Sequence, residues 1–281
     1  MSAATFSPAT RLSLPLRALG KSWARAALKA QFSLTGGKGS LWQISAMTPH
    51  PPLPLSLDVS SLAHGVPQAQ ARQMLHAAAL LGVEWLIVRG MPDATLIAPV
   101  CRRHPGLRVA LMMSGEGWAH DGPAIDTVVT TLFGRLGRDH LDAVFLPADS
   151  VGKSPWQRLM ALRDTGAVLM TGARVTSPQD ALHCAASPDI DALSLDLGAS
   201  MTSWQDMALS HARSSFGGRP VFANLEVPHH AAVQALSSLR FVSHVSMRPA
   251  NATQIALGLD AARAFVRARH GAQFLALAEA A

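Results

Sequence analysis

From Leu53 onward, short apolar runs alternate with longer stretches in which apolar residues return every three or four positions. The short runs read as buried strands and the longer stretches as amphipathic helices. Eight strands are predicted, at Leu53–Val59, Glu84–Val88, Leu107–Met113, Leu141–Pro147, Ala167–Gly172, Ile190–Leu197, Pro220–Leu225 and Phe241–Met247. Helical patterns fill the intervals 67–81, 93–104, 122–136, 155–165, 178–187, 203–215, 229–239 and 252–269. The connections are short and rich in Gly, Pro, Ser and Asp, as compact strand–helix packing requires. Strict alternation of this kind predicts an α/β protein built on a parallel sheet. An open doubly wound sheet announces itself by a glycine-rich phosphate loop after its first strand, and Asp58–Gly65 has no G-x-G-x-x-G. The expected fold is therefore a closed (β/α)8 TIM barrel, which leaves no sheet edge exposed.

Residues 1–52 follow other rules. Arg17, Lys21, Arg25 and Lys29 recur every fourth position within Leu14–Phe32, with Leu16, Leu19, Trp23 and Ala27 mostly opposite them, which predicts a basic amphipathic helix. A glycine-rich stretch, Gly36–Ser40, and the segment Thr48-Pro-His-Pro-Pro52 then form a linker. The expected division is a basic N-terminal extension with a Pro-rich linker over 1–52 and the barrel over 53–281. The extension suits three roles: an organelle transit peptide, an anionic membrane surface contact through residues 11–32, or a solvated or barrel-capping segment. The cytoplasm is the expected compartment, with the mitochondrial matrix the alternative if residues 1–35 act as a transit peptide. No apolar run approaches the ~20 residues that span a bilayer.

Composition narrows the function. The chain carries 24 basic and 18 acidic residues, and Arg11, Arg17, Lys21, Arg25, Lys29 and Lys38 stand in the extension without an acid. The remaining 18 basic residues balance the 18 acids, so the barrel has no basic footprint for nucleic acid. Cys101 and Cys184 are far apart and have neither redox nor zinc spacing. Tyrosine is absent from all 281 residues.

Several segments carry a resemblance. Arg135-Leu-Gly-Arg-Asp-His-Leu-Asp-Ala-Val-Phe-Leu146 resembles the aldo/keto reductase stretch in which a helix ends in RLG and a strand beginning DYID follows. Trp156–Gly172 is similar to that family's W-x-A-L…G-K-V-R-x-I-G, Ser177-Pro-Gln179 to its S-P-E-Q helix start, and Ala185–Leu195 to its A-P-I-D-V-V-Q. Ala71–Trp85 resembles its first helix and second strand, so the likeness spans about residues 53–260. The resemblance implies NADP-dependent carbonyl reduction by a tyrosine, lysine, aspartate and histidine. At the matching positions stand Met91 or Pro92, Met112, Ile87 and Pro147. None donates a proton at neutral pH. The serine–asparagine pair implied for the nicotinamide amide corresponds to Arg174-Val175, the next strand's glutamine to Ser194, and the stacking tyrosine to Asn224. Arg248-Pro-Ala-Asn251 replaces the glycine-containing phosphate and ribose loop, although a guanidinium still offers a fork to a phosphate. No catalytic residue is assigned, and NADP is the implied cofactor that these losses argue against.

In barrels of this class, ligands are met by strand C-termini and the loops after them. The candidates read there are Asp58, Arg89, Glu116, Asp149, Arg174, Asp196, Asn224, Glu226 with His229 and His230, and Arg248. Only 15% of residues are charged, so a charge near each of eight strand ends concentrates a scarce resource. Acids and arginines alternate there, which suits a small polar or anionic ligand, with Arg174 and Arg248 as its expected anion contacts. Neighbouring histidines at a helix start diverge, so His229-His230 is not read as a metal site. The expected function is a ligand- or partner-binding barrel without ordinary NADPH-dependent reduction. Its alternatives are an oxidoreductase with a rearranged site, using Asp149, Glu226 or His229 as proton donor, and a scaffold docked through the basic helix.

Overall fold

The computed structural model describes residues 53–113, 125–197, 203–205, 216, 218–225, 236, 239 and 241–279, with side chains to 268. The extension, Glu116, Glu226, His229 and His230 lie outside the described residues, as do most of the predicted helices 203–215 and 229–239. Eight parallel strands close into a barrel in sequential order: β1 (Leu53–Asp58), β2 (Val83–Val88), β3 (Arg108–Met112), β4 (Ala143–Pro147), β5 (Thr171–Val175), β6 (Ala192–Asp196), β7 (Val221–Leu225) and β8 (His244–Met247). β8 returns to β1 with Ser246 opposite Ser56. The helices are α1 (Ser60–Gly65), α2 (Gln68–Leu80), α3 (Met91–Arg103), α4 (Ile125–Leu136), α5 (Ser154–Asp164), α6 (Pro178–Ala186) and α7 (Ala252–Glu279). Among the described residues no helix is long and apolar enough to cross a membrane.

Local chemistry accounts for the element ends. The RLG sequence closes α4 because Gly137, at φ +68°, enters the left-handed region, and its N–H and that of Arg138 both reach Phe133 O, at 2.8 and 3.3 Å. Ser177 caps α6 by accepting the Asp180 N–H at 3.1 Å, with Pro178 at the first helical position. Pro99 inside α3 has no N–H for Thr95 O, and Arg72 of α2 supplies donors to Thr95 O and Leu96 O, both at 3.4 Å. On the strand N-terminal side, Asp142 accepts the Val109 N–H at 2.8 Å and Arg138 Nη1 at 3.2 Å, while Arg138 Nη2 donates to Leu107 O at 2.6 Å. The LD pair of the recognised motif thus ties the entry of β4 to that of β3.

The alternation of strand side chains sends one set inward. Trp85, Ile87, Ala110, Met112, Ala143, Phe145, Ala192 and Phe222 form one buried cluster, with Met170 packed against it. Phe222 meets both Trp85 and Phe145 edge-on, at centroid distances of 5.3 and 5.5 Å. Gly172 completes this layer by omission: a Cβ there would stand 2.5 Å from Phe145 Cε1 and closer still to Cδ1. That substitution of ring for side chain explains the one displaced strand. The apolar run favours Ala167–Gly172, whereas the strand is Thr171–Val175. Gly166 turns the chain at φ +77°, Leu169 is exposed, and the inward positions that follow are a glycine and an arginine. Hydrophobicity is a poor guide where the neighbour fills the space. The end of α7 also exceeds the predicted 269, and α1 and a 3-10 turn at Ala148–Ser150 were absent from the pattern.

Candidate functional site

The same inward parity that runs through Trp85 and Ile87 brings Arg89 to the C-terminal mouth, and the corresponding positions of other strands bring Asp58, Arg174, Asp196, Asn224 and Arg248 there. Two networks result. On the β8–β1–β2 side, Asp58 Oδ2 accepts Arg89 Nε at 2.8 Å and Arg248 Nε at 3.0 Å. Asp58 Oδ1 accepts the Ser60 N–H at 3.1 Å and the Ser60 hydroxyl at 2.7 Å. One carboxylate therefore holds two guanidinium groups and the first turn of α1. Its side chain is 6% exposed, against 24% for Arg89 and 46% for Arg248. Burial alone would raise the Asp58 pKa, but the Arg89 charge, the Ser60 hydrogen bond and the Arg248 charge outweigh it and hold the carboxyl below 3.8. Arg89 is fixed at its main chain as well, since its N–H donates to Asp93 Oδ2 at 2.7 Å. Burial, assisted by the Asp58 charge, raises the pKa of that second carboxyl.

The β5–β6–β7 side is a closed circuit. Arg174 donates through Nε to Asp196 Oδ2 at 2.8 Å and through Nη2 to the same oxygen. Asn224 Nδ2 donates to Asp196 Oδ1 at 2.6 Å and to Ser194 Oγ at 2.9 Å. Charge is matched within this group, with Arg174 meeting Asp196 through both Nε and Nη2. The contrast lies in the first network, where both arginines spend Nε on Asp58 and, among the described residues, their Nη groups have no protein acceptor.

Asp149 joins neither network. It stands exposed on the 3-10 turn after β4 and lines, with Arg174, Thr176, Asp180 and His183, a cleft of about 450 Å³ beside α6. Cys184 forms part of that cleft's wall, but burial, with Asp180 adding to it, pushes its thiol up to about 11, so it is an unreactive thiol. Cys101 is buried too. Reading strand ends from the sequence found the members of both networks except Ser60 and Ser194, whose hydroxyls carry no signal before their partners are placed. It could not show that Asp58 is shared or that Arg174 is paired with Asp196.

The barrel is similar to those of solved aldo-keto reductases. A putative aldo-keto reductase of Pseudomonas aeruginosa superposes with a TM-score of 0.63 at 15% identity, over 80% of this chain and 99% of that one. An aldo-keto reductase of Bacillus halodurans, solved in its holo form, gives a TM-score of 0.55 at 14% identity, over 72% of this chain and 84% of that one. No protein-family model matches the chain, and no curated protein sequence does. The chain thus has the aldo/keto reductase fold, carried on a very different sequence.

Proposed function

We propose that this protein is an aldo/keto reductase-like barrel that binds a small anionic ligand at its mouth and does not reduce carbonyls by the fold's usual tetrad. The observation that carries the reading is the Arg89–Asp58–Arg248 junction. A buried carboxylate fixes two guanidinium groups through Nε and, among the described residues, leaves their Nη donors for an oxyanion at the rim. The attraction is directional, because Asp58 lies against both arginines and Asp93 beside Arg89, which limits net positive charge. Arg174 is assigned a structural role, since two of its donors, Nε and Nη2, are held on Asp196.

The positions implied for proton transfer support the other half of the proposal. Ile87 and Met112 are 2% and 1% exposed within the apolar barrel layer, and Pro147 ends β4. The groups opposite a nicotinamide amide do not fit it either: Arg174 and Asn224 are spent on Asp196, and Ser194 Oγ accepts from Asn224. NADP is therefore not assigned as a cofactor, and no hydride step is derived.

The test is a pair of titrations on the full chain. NADPH, followed by its fluorescence, should show no saturable binding in the micromolar range. Acetate and inorganic phosphate, followed by calorimetry, should bind in a way that Arg248→Ala and Arg89→Ala weaken by about tenfold or more, the effect of one hydrogen bond to a charged group. Arg174→Ala should leave this binding unchanged. Saturable NADPH binding, or anion affinity indifferent to Arg248, overturns the proposal.

A further inference from the structure

On the outer face of the barrel, His76 of α2 and His104, the residue that caps the end of α3, point ring nitrogens at each other. Nδ1 of His76 and Nε2 of His104 are 3.1 Å apart, with ring centroids 5.2 Å apart and planes inclined by 52°. From this geometry we infer a two-imidazole site for a divalent late transition-metal ion, the class of Cu2+, Ni2+ and Zn2+, between α2 and α3.

The separation carries the inference. Two imidazole nitrogens bound at about 2.0–2.1 Å to one ion, at an angle between square and tetrahedral, stand roughly 2.9–3.4 Å apart. The observed 3.1 Å falls inside that bite without moving either helix. The helices are held in register independently: one turn before His76, Arg72 crosses to Thr95 O and Leu96 O of α3. Both rings are half-buried, which leaves an open side for water to complete the coordination shell. Burial, then the His104 charge and Arg103, lowers the pKa of His76, and burial followed by Arg103 lowers that of His104, which favours the uncharged rings.

The proton inventory is simple. In the apo pair, one facing nitrogen carries the proton it donates and the other accepts it. Moving that proton to the far nitrogen of the same ring frees both facing lone pairs, so a neutral pair takes an ion without net proton release. His104 caps the C-terminal end of α3, where the helix carries partial negative charge. Arg103 opposes a cation at the same place, and among the described residues no third His, Cys, Asp or Glu completes a cluster. The site is thus an exchangeable two-ligand one, with Cu2+ expected to bind most tightly.

The experiment uses the full chain, titrated calorimetrically with Cu2+ and Ni2+. Wild type should take up one more equivalent of each ion than His76→Ala or His104→Ala, and the double variant should lose no more than either single one. His76→Gln retains a side-chain donor toward His104 but not the second imidazole, so it should keep the fold, checked by circular dichroism, and lose the same equivalent. Nitrogen hyperfine structure from two imidazoles in the Cu2+ spectrum should disappear with it. Variants of native circular dichroism that bind the same number of equivalents with unchanged affinity would overturn the site.

Discussion

Replacing Asp58 by Asn keeps the shape of the side chain and removes its charge, which isolates what holds the mouth together. Four donors converge on this carboxylate: two guanidinium Nε–H groups on Oδ2 and the Ser60 N–H and hydroxyl on Oδ1. An amide has one oxygen and one NH2: turned one way the NH2 opposes both guanidinium groups, turned the other it opposes the Ser60 N–H while the hydroxyl rotates to accept from it, and in either orientation both arginines lose a charged acceptor. A hydrogen bond to a charged group contributes about 1.5–3 kcal/mol. Two are lost, but both arginines are partly exposed, at 24% and 46%, and can turn to water. The net cost is then about 2–3 kcal/mol, since a solvent-accessible charge is only partly uncompensated. With a urea slope of about 3 kcal/mol per molar, the unfolding midpoint should fall by about 0.7–1 M. The pH dependence provides an internal check. The folded carboxyl titrates below its ordinary 3.8, so its stabilisation is complete above that value and is lost as pH falls through the folded pKa. The gap between wild type and Asp58→Asn should therefore be full at neutral pH and narrow in acid. A variant within about 0.5 kcal/mol of wild type at pH 7 would refute the idea that the shared ion pair organises the mouth.

Other consequences are open to the same kind of measurement. Gly172→Ala should destabilise the barrel by about 1–3 kcal/mol in chemical denaturation, because Phe145 is 1% exposed and packed against Phe222, leaving the new methyl no room. Asp142→Ala removes the acceptor of the Val109 N–H and of Arg138 on the opposite face. It should cost about 2 kcal/mol while leaving anion binding at the mouth unchanged in calorimetry. His76 and His104 both titrate below 6.5 in the folded protein, so the unfolded chain binds more protons below that pH. Stability should therefore decline as pH falls through 6.5 toward the folded values, and His76→Gln should flatten that decline in thermal melts. Deleting residues 1–47 should leave the barrel's thermal unfolding nearly unchanged if that segment targets or docks the protein, whereas a large loss of stability would show that it caps the barrel.

The amino-acid order alone determines the fold here because the signal is repeated. Eight apolar runs alternate with helical patterns, and seven of the runs cover their strands to within one residue, as parallel strands covered by helices are buried on both faces, while the fifth overlaps its strand only at Thr171 and Gly172. Local punctuation was equally legible: RLG closing α4 and Ser177-Pro178 opening α6 act through neighbours within a few residues. Charged strand ends could be enumerated for the same reason, from parity and position. The fifth strand shows where such reading stops. Its inward position is Gly172 because a ring from β4 occupies the space, and no local property of Thr171–Val175 records that. The mouth follows the same logic. Asp58 and Arg248 are 190 positions apart, and only barrel closure, which sets β8 beside β1, makes them partners. Arg174 and Arg248 look alike in sequence, yet one meets Asp196 through two donors and the other shares an acid with Arg89. Residue type and spacing fix which groups reach the rim, whereas the number of partners each group finds there is a property of the closed barrel.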